Sequence, residues 1–269
     1  MRYISLRLLA IVVIASVLSG CGSGLHPTTS SSTVQNLTGN WFFDTDITPA
    51  QAMTSPIYAF TGAINSQGAN VSAVFRAISG TCISPSQDIV LTGSQAADGT
   101  VTLTSTNLPN NVATVTLNFS TLYNLTSGEG TISITGSGPC AISTGLGAYE
   151  VQPVTGAYTG TISAASGFPS TATGTANLTQ AAATSDGLFP VTGSITIAGI
   201  SCSSTFSLTG LITGPNLSAT LVSTSGPTAT GSVQGTTNAG IFAPSLTLSI
   251  NILSSGCNNG AFNATLNSQ

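Results

Sequence analysis

Ser245-Leu246-Thr247-Leu248-Ser249-Ile250-Asn251-Ile252 switches between polar and apolar at every step. In an extended chain successive side chains point to opposite faces, so this octet has one aliphatic face and one face of hydroxyls and amides. The same period of two runs through Thr114-Val115-Thr116-Leu117-Asn118-Phe119-Ser120 and Ser194-Ile195-Thr196-Ile197. Thr and Ile both suit a pleated surface. No stretch after residue 21 keeps a helical period, and its nearest rival, Thr179 to Thr184 (TQAAAT), is too short to stand as a helix. Turn signals separate the alternating runs: Asn65-Ser66-Gln67-Gly68, Asp98-Gly99, Pro109-Asn110, Ser127-Gly128, Asp186-Gly187, Gly214-Pro215-Asn216, Gly226-Pro227 and Asn238-Ala239-Gly240. The reading is all-β.

The pattern occurs twice. Gly39-Asn40-Trp41 recurs as Gly156-Ala157-Tyr158, Cys82 as Cys202 and Cys140 as Cys257, each 117 to 120 residues later. That period is too long for a solenoid and fits tandem domains. The expected division is 1–20 as an export signal, 21–35 as a tether, 36–153 as a first β domain and 154–269 as its repeat. Strands are expected near Trp41, Tyr58, Val74, Val90, Leu103, Val115, Ile132 and Tyr149, and near Tyr158, Thr175, Val191, Phe206, Ala219, Gly231, Leu246 and Phe262. Eight short strands joined by tight turns make an antiparallel meander. Closing it into a barrel hides both the apolar face and the edges, with a β-sandwich as the alternative. An eight-stranded barrel is filled by its side chains or holds one small ligand.

Charge is nearly absent. The 269 residues contain 3 Lys+Arg, all arginine, against 7 Asp+Glu. Arg2 and Arg7 lie in the expected signal, which leaves Arg76 as the only strong base of the body. Nucleic acid needs clustered cations to displace counterions, so it is excluded as a partner. Electrostatic attraction to anionic lipid heads fails for the same reason. Solubility falls to Ser, Thr, Asn and Gly. With hydrophobic residues at 41%, the chain is too apolar to be disordered.

The N-terminus has a basic head, an apolar core of ten residues from Leu8 to Val17, and then Leu18-Ser19-Gly20-Cys21. The core is too short to span a bilayer as a helix and suits a signal peptide. Those last four residues resemble the lipobox of bacterial lipoproteins. The resemblance implies cleavage before Cys21, a diacylglyceryl thioether on its sulfur and usually an acylated amine, palmitate being a typical chain. Each buried methylene contributes ~0.8 kcal/mol, so two or three chains anchor firmly. Gly22 in place of Asp implies, by the same resemblance, the outer rather than the inner membrane. Gly22 to Gln35 reads as a flexible tether holding the body roughly 20 Å from the lipid. His26 lies in it as an exposed linker residue.

Leu37-Thr38-Gly39-Asn40-Trp41 resembles the opening strand of the calycins, the lipocalin and avidin group, in which G-x-W begins an eight-stranded barrel and the Trp plugs its floor. That resemblance implies floor or ligand contacts for Trp41 and its counterpart Tyr158. The lipocalin pattern also sets an Arg late in the barrel against the Trp; here Arg76 sits in the third strand. Arg76 is expected to point outward, since Phe75 points inward, and to pair across strands with Asp88. An inward Arg76 orienting an anionic ligand is the alternative.

With Cys21 lipidated, four cysteines remain, and four allow three pairings. The repeat selects Cys82–Cys140 and Cys202–Cys257. Loops that long each add roughly 4 kcal/mol on the chain-entropy model. A zinc site is rejected because the body has neither C-x-x-C spacing nor a histidine. Catalysis is short of parts. Triads need a histidine in the fold, and Schiff-base or P-loop chemistry needs lysine. Asp44 and Asp46 are the closest carboxylate pair for glycoside hydrolysis, but they read as a solvated strand end, as Glu129 and Glu150 read as solvated charges. The expectation is a non-enzymatic, lipid-anchored envelope module without metal or cofactor, whose partners are the membrane and another envelope protein. A calycin-like carrier of a small apolar ligand is the second reading, favoured in the second unit by Ala172, Gly174, Ala176, Ala219 and Gly231. A carboxylate-dependent hydrolase is a remote third, and a transmembrane barrel is a further structural alternative because alternation alone does not say which face meets lipid.

Overall fold

The computed structural model describes residues 34–45, 58–79, 83–85, 87–105, 108, 112–124, 127–137, 140–164, 172–198, 204–226, 228–237, 245–254 and 260–269. The expected signal, Cys21, His26, Asp46, Cys82, Cys202 and Cys257 lie outside the described residues.

The first half contains β1 (Gly39–Asp44), β2 (Ala59–Gln67), β3 (Asn70–Ser79), β4 (Asp88–Gln95), β5 (Thr100–Ser105), β6 (Val112–Asn124), β7 (Ser127–Gly136) and β8 (Ile142–Val151). The second contains β9 (Gly156–Ala164), β10 (Ala172–Gln180), β11 (Phe189–Ile197), β12 (Thr205–Thr213), β13 (Asn216–Ser223), β14 (Ala229–Thr237), β15 (Ser245–Ser254) and β16 (Gly260–Ser268). Within each half every strand pairs antiparallel with the next, β8 closes on β1, and β16 closes on β9. The fold is two tandem closed meander barrels. Closure of each sheet on itself replaces the sandwich alternative and leaves no free edge.

The period of two decides which side chains fill each barrel. Along β16 buried and exposed residues alternate from Gly260 to Thr265 and beyond, with Phe262, Ala264 and Leu266 inside. The first barrel has an aromatic interior. Phe43 meets Phe75 and Phe119 edge-on at 4.8 and 5.4 Å between ring centroids, and Trp41 packs on both Phe43 and Phe119. Such pairs add about 0.5–1.5 kcal/mol beyond the area they bury. The second barrel is mainly aliphatic, built from residues such as Val191, Ile195, Leu221, Ile250 and Leu266. Outward positions of the second barrel are mostly exposed Thr, Ser, Asn and Gln. That wall is the inverse of the apolar outer band that a membrane-spanning barrel presents to lipid.

The segment before each barrel packs into its core. Leu37 belongs to the first core and Val154 to the second. A glutamine fastens each lead-in: Gln35 N–H donates to Gln95 Oε1 at 2.9 Å, and Val154 N–H to Gln180 Oε1 at 3.1 Å. Cys140 is buried and disulfide-bonded.

Two local expectations shift. Tyr58 precedes β2 rather than centring it, and its ring stacks on Phe60 inside the barrel. Ser127-Gly128 reads as a turn but opens β7. Gly128 serves close approach there, since a Cβ on it would lie 2.5 Å from Ser120 O on β6.

Candidate functional site

Trp41 is completely buried, and its indole Nε1–H donates to Leu37 O at 2.8 Å. The ring therefore ties the lead-in cap to the strand behind it. Tyr158, the residue at the same step of the second barrel, is also buried, but its hydroxyl has no hydrogen-bond partner in the protein. Burial pushes the Tyr158 and Tyr58 phenols above their ordinary range. Glu150 pairs in register with Trp41 and is half-buried rather than fully solvated. Loss of solvent raises its carboxyl above the usual value.

Arg76 lies on the outward phase of β3, in register with Asp88 of β4. Its Nε–H donates to Asp88 Oδ1 at 2.7 Å, and an Nη2–H reaches Asp186 Oδ2 at 3.3 Å. Asp186 belongs to the other barrel and is the only charged side chain after Glu150. The guanidinium thus joins the two barrels. The Thr184 hydroxyl, which donates to Asp186 Oδ1, holds the Asp186 carboxyl below the ordinary aspartate range, and Arg76 adds to the effect.

Two turns of the second barrel complete this junction. Gly187, at φ +75°, lies so close to β3 that a Cβ would sit 2.5 Å from Val74 O. Gly214, at φ +54°, abuts Thr61 in the same way, with Oγ1 2.3 Å from a Cβ position. Asn40 Nδ2 donates to Gly214 O at 2.9 Å in a buried hydrogen bond. Ala63 packs on the core of the second barrel. Residues Val34–Gln269 accordingly form one compact unit.

No protein-family model and no curated protein matches this chain. Among solved structures it is similar to a protein of unknown function from the DUF3598 family of Nostoc punctiforme. That match is 10% identical, covers 89% of this chain and 98% of the other, and has a TM-score of 0.27. It is also similar to a double mutant of the vaccine antigen transferrin binding protein B from Haemophilus parasuis. There the identity is 10%, the coverage 86% of this chain and 75% of the other, and the TM-score 0.22. At those scores neither likeness bears on the reading of individual residues.

Among the described residues no three His, Cys, Asp or Glu side chains gather as metal ligands. Asp44 stands exposed at the end of β1. The junction residues Asn40, Thr61, Gly187 and Gly214 escape sequence reasoning, which has no view of one barrel against another. Asp186 did carry a signal: the lone carboxylate of an otherwise uncharged half has its best electrostatic partner elsewhere, in the lone arginine.

Proposed function

We propose that this chain is a non-catalytic module of the bacterial cell envelope, exported and held by lipid on Cys21 at the outer membrane. One observation carries the non-catalytic half of the reading. The single strong base of the body is engaged by two carboxylates at a structural junction, where it fastens one barrel to the other. A base so engaged is a poor partner for an anionic substrate. Leu18-Ser19-Gly20-Cys21 supports the anchor. The two barrels, proposed as domains 36–153 and 154–269, would meet another envelope component through their walls.

The carrier reading rests on small inward residues in the second barrel. At Gly174 a Cβ would fall 2.4 Å from Ile162 Cδ1, and Leu266 stands close by. The space a glycine frees there is filled by its neighbours, which favours the interaction module over the carrier.

Metabolic labelling with a clickable palmitate analogue tests the anchor. Labelled protein in the membrane fraction is expected, and Cys21→Ala should abolish the label. An unlabelled wild-type chain, or a label that survives the substitution, would overturn the proposal.

A further inference from the structure

The outer wall of the second barrel carries a groove of about 370 Å³ across β14, β15, β16 and β9. Two register rows line it. Thr236, Thr247, Thr265 and Thr161 face one another across the four strands. Gln234, Ser249, Asn263 and Ser163 form the neighbouring row. Short Ser249 on β15 lies in register between the longer Gln234 and Asn263, which hollows that row. Gly235 contributes no side chain to the wall.

Some hydroxyls of the wall turn back onto strand carbonyls, as Thr220 Oγ1 does to Thr209 O and Ser207 Oγ to Val222 O; the groove is set apart by its concavity. Within the groove Ser163 Oγ donates to Asn263 O in this way, and Gln234 Nε2 donates to Ser218 Oγ on β13. The Thr161, Thr236, Thr247, Ser249 and Thr265 hydroxyls face outward on fixed strands, and each can both donate and accept. No charged group lines the groove, so nothing there repays the desolvation of an ion. No aromatic side chain lines it either; Leu248 and Ala264 are its only residues of apolar type, their side chains are buried on the inward face, and the carbon atoms of the polar residues supply the rest of its apolar surface. The volume lies at the small end of the range, about 300–1,000 Å³, that holds compact ligands.

We infer that this groove binds a neutral, polyhydroxylated ligand, a short stretch of uncharged oligosaccharide. This deepens the reading of an interaction module and rests on it for the module's role, but binding itself needs no lipid on Cys21. The two ideas therefore fail separately: loss of the palmitate label leaves the groove untouched, and a groove that binds nothing leaves the anchor untouched.

The test is saturation-transfer NMR on the full chain in a polyoxyethylene detergent, which adds no sugar. The probes are cellohexaose, chitohexaose and dextran, with polygalacturonate as the anionic counterpart. Binding of at least one neutral probe at millimolar concentration is expected, with polygalacturonate weaker. The Thr247→Val/Thr265→Val double variant removes two hydroxyls at nearly constant shape and should weaken binding at least tenfold. Thr192→Val, on another part of the wall, should leave binding unchanged. Should the double variant fail to fold, Gln234→Ala and Asn263→Ala are expected to show the same loss. No binding of any neutral probe, equal binding by folded groove variants, or a preference for polygalacturonate would overturn the inference.

Discussion

Arg76 shows what one ion does in a chain that has few. Its two ion pairs are partly exposed, with 27% of the Arg76 side chain accessible, so each contributes well under the value of a buried pair. Arg76→Gln should therefore destabilise the protein by about 1 kcal/mol at neutral pH, as read by urea denaturation. The depressed Asp186 carboxyl fixes the sign of the pH dependence. Folding favours its ionised form, so that stabilisation is complete above the ordinary aspartate range and drains away as pH falls through that range and below it. The difference between wild type and Arg76→Gln should shrink on acidification, and a difference that grows in acid would contradict the junction described. The two barrel-entry aromatics make a paired prediction. Tyr158→Phe deletes a buried hydroxyl without a partner and should leave stability unchanged or raise it, since leaving such a group buried costs about 1–3 kcal/mol. Trp41→Phe loses the bond to Leu37 O and opens space in a packed core, so it should cost about 2–4 kcal/mol in the same assay.

At the scale of elements, strand alternation was the readable part. Fifteen of the sixteen expected centres fall within strands, and Tyr58 lies one residue before its own. The reason is physical: one buried face imposes a period of two, and a slip by one residue would turn every core side chain outward. The glycines were harder. Ser127-Gly128 looks like a turn, yet Gly128 allows β7 to approach the Ser120 carbonyl. Gly187 and Gly214 do sit in turns, but their second duty, lying flat against the first barrel, leaves no local trace in the sequence. Gly214→Ala combines a left-handed backbone with a clash against Thr61 and should destabilise by about 1–3 kcal/mol. Gly68→Ala makes the control, for its φ is positive too, at +60°, but nothing stands within 4 Å of the added carbon. Comparable losses at both sites would mean that backbone strain alone, and not the junction, sets the cost.

For the whole molecule, repetition in the sequence pointed to two similar units, and each closes into the barrel expected ahead of the sandwich. What repetition did not foretell is asymmetry. The first barrel holds an aromatic cluster and the second a mainly aliphatic core, and the first reaches across with Arg76 and Asn40 where the second offers Asp186 and the Gly214 carbonyl. The charge-free wall and its groove were half legible. Composition announced hydroxyls, but only strand register brings Thr236, Thr247, Thr265 and Thr161 side by side. The account as a whole rests on each half closing on itself, and the four later cysteines test that most directly. Non-reducing peptide mapping by mass spectrometry of protein purified from the envelope should find Cys82 joined to Cys140 and Cys202 joined to Cys257, with the N-terminal peptide starting at acylated Cys21. A bridge running from one half to the other would contradict the account.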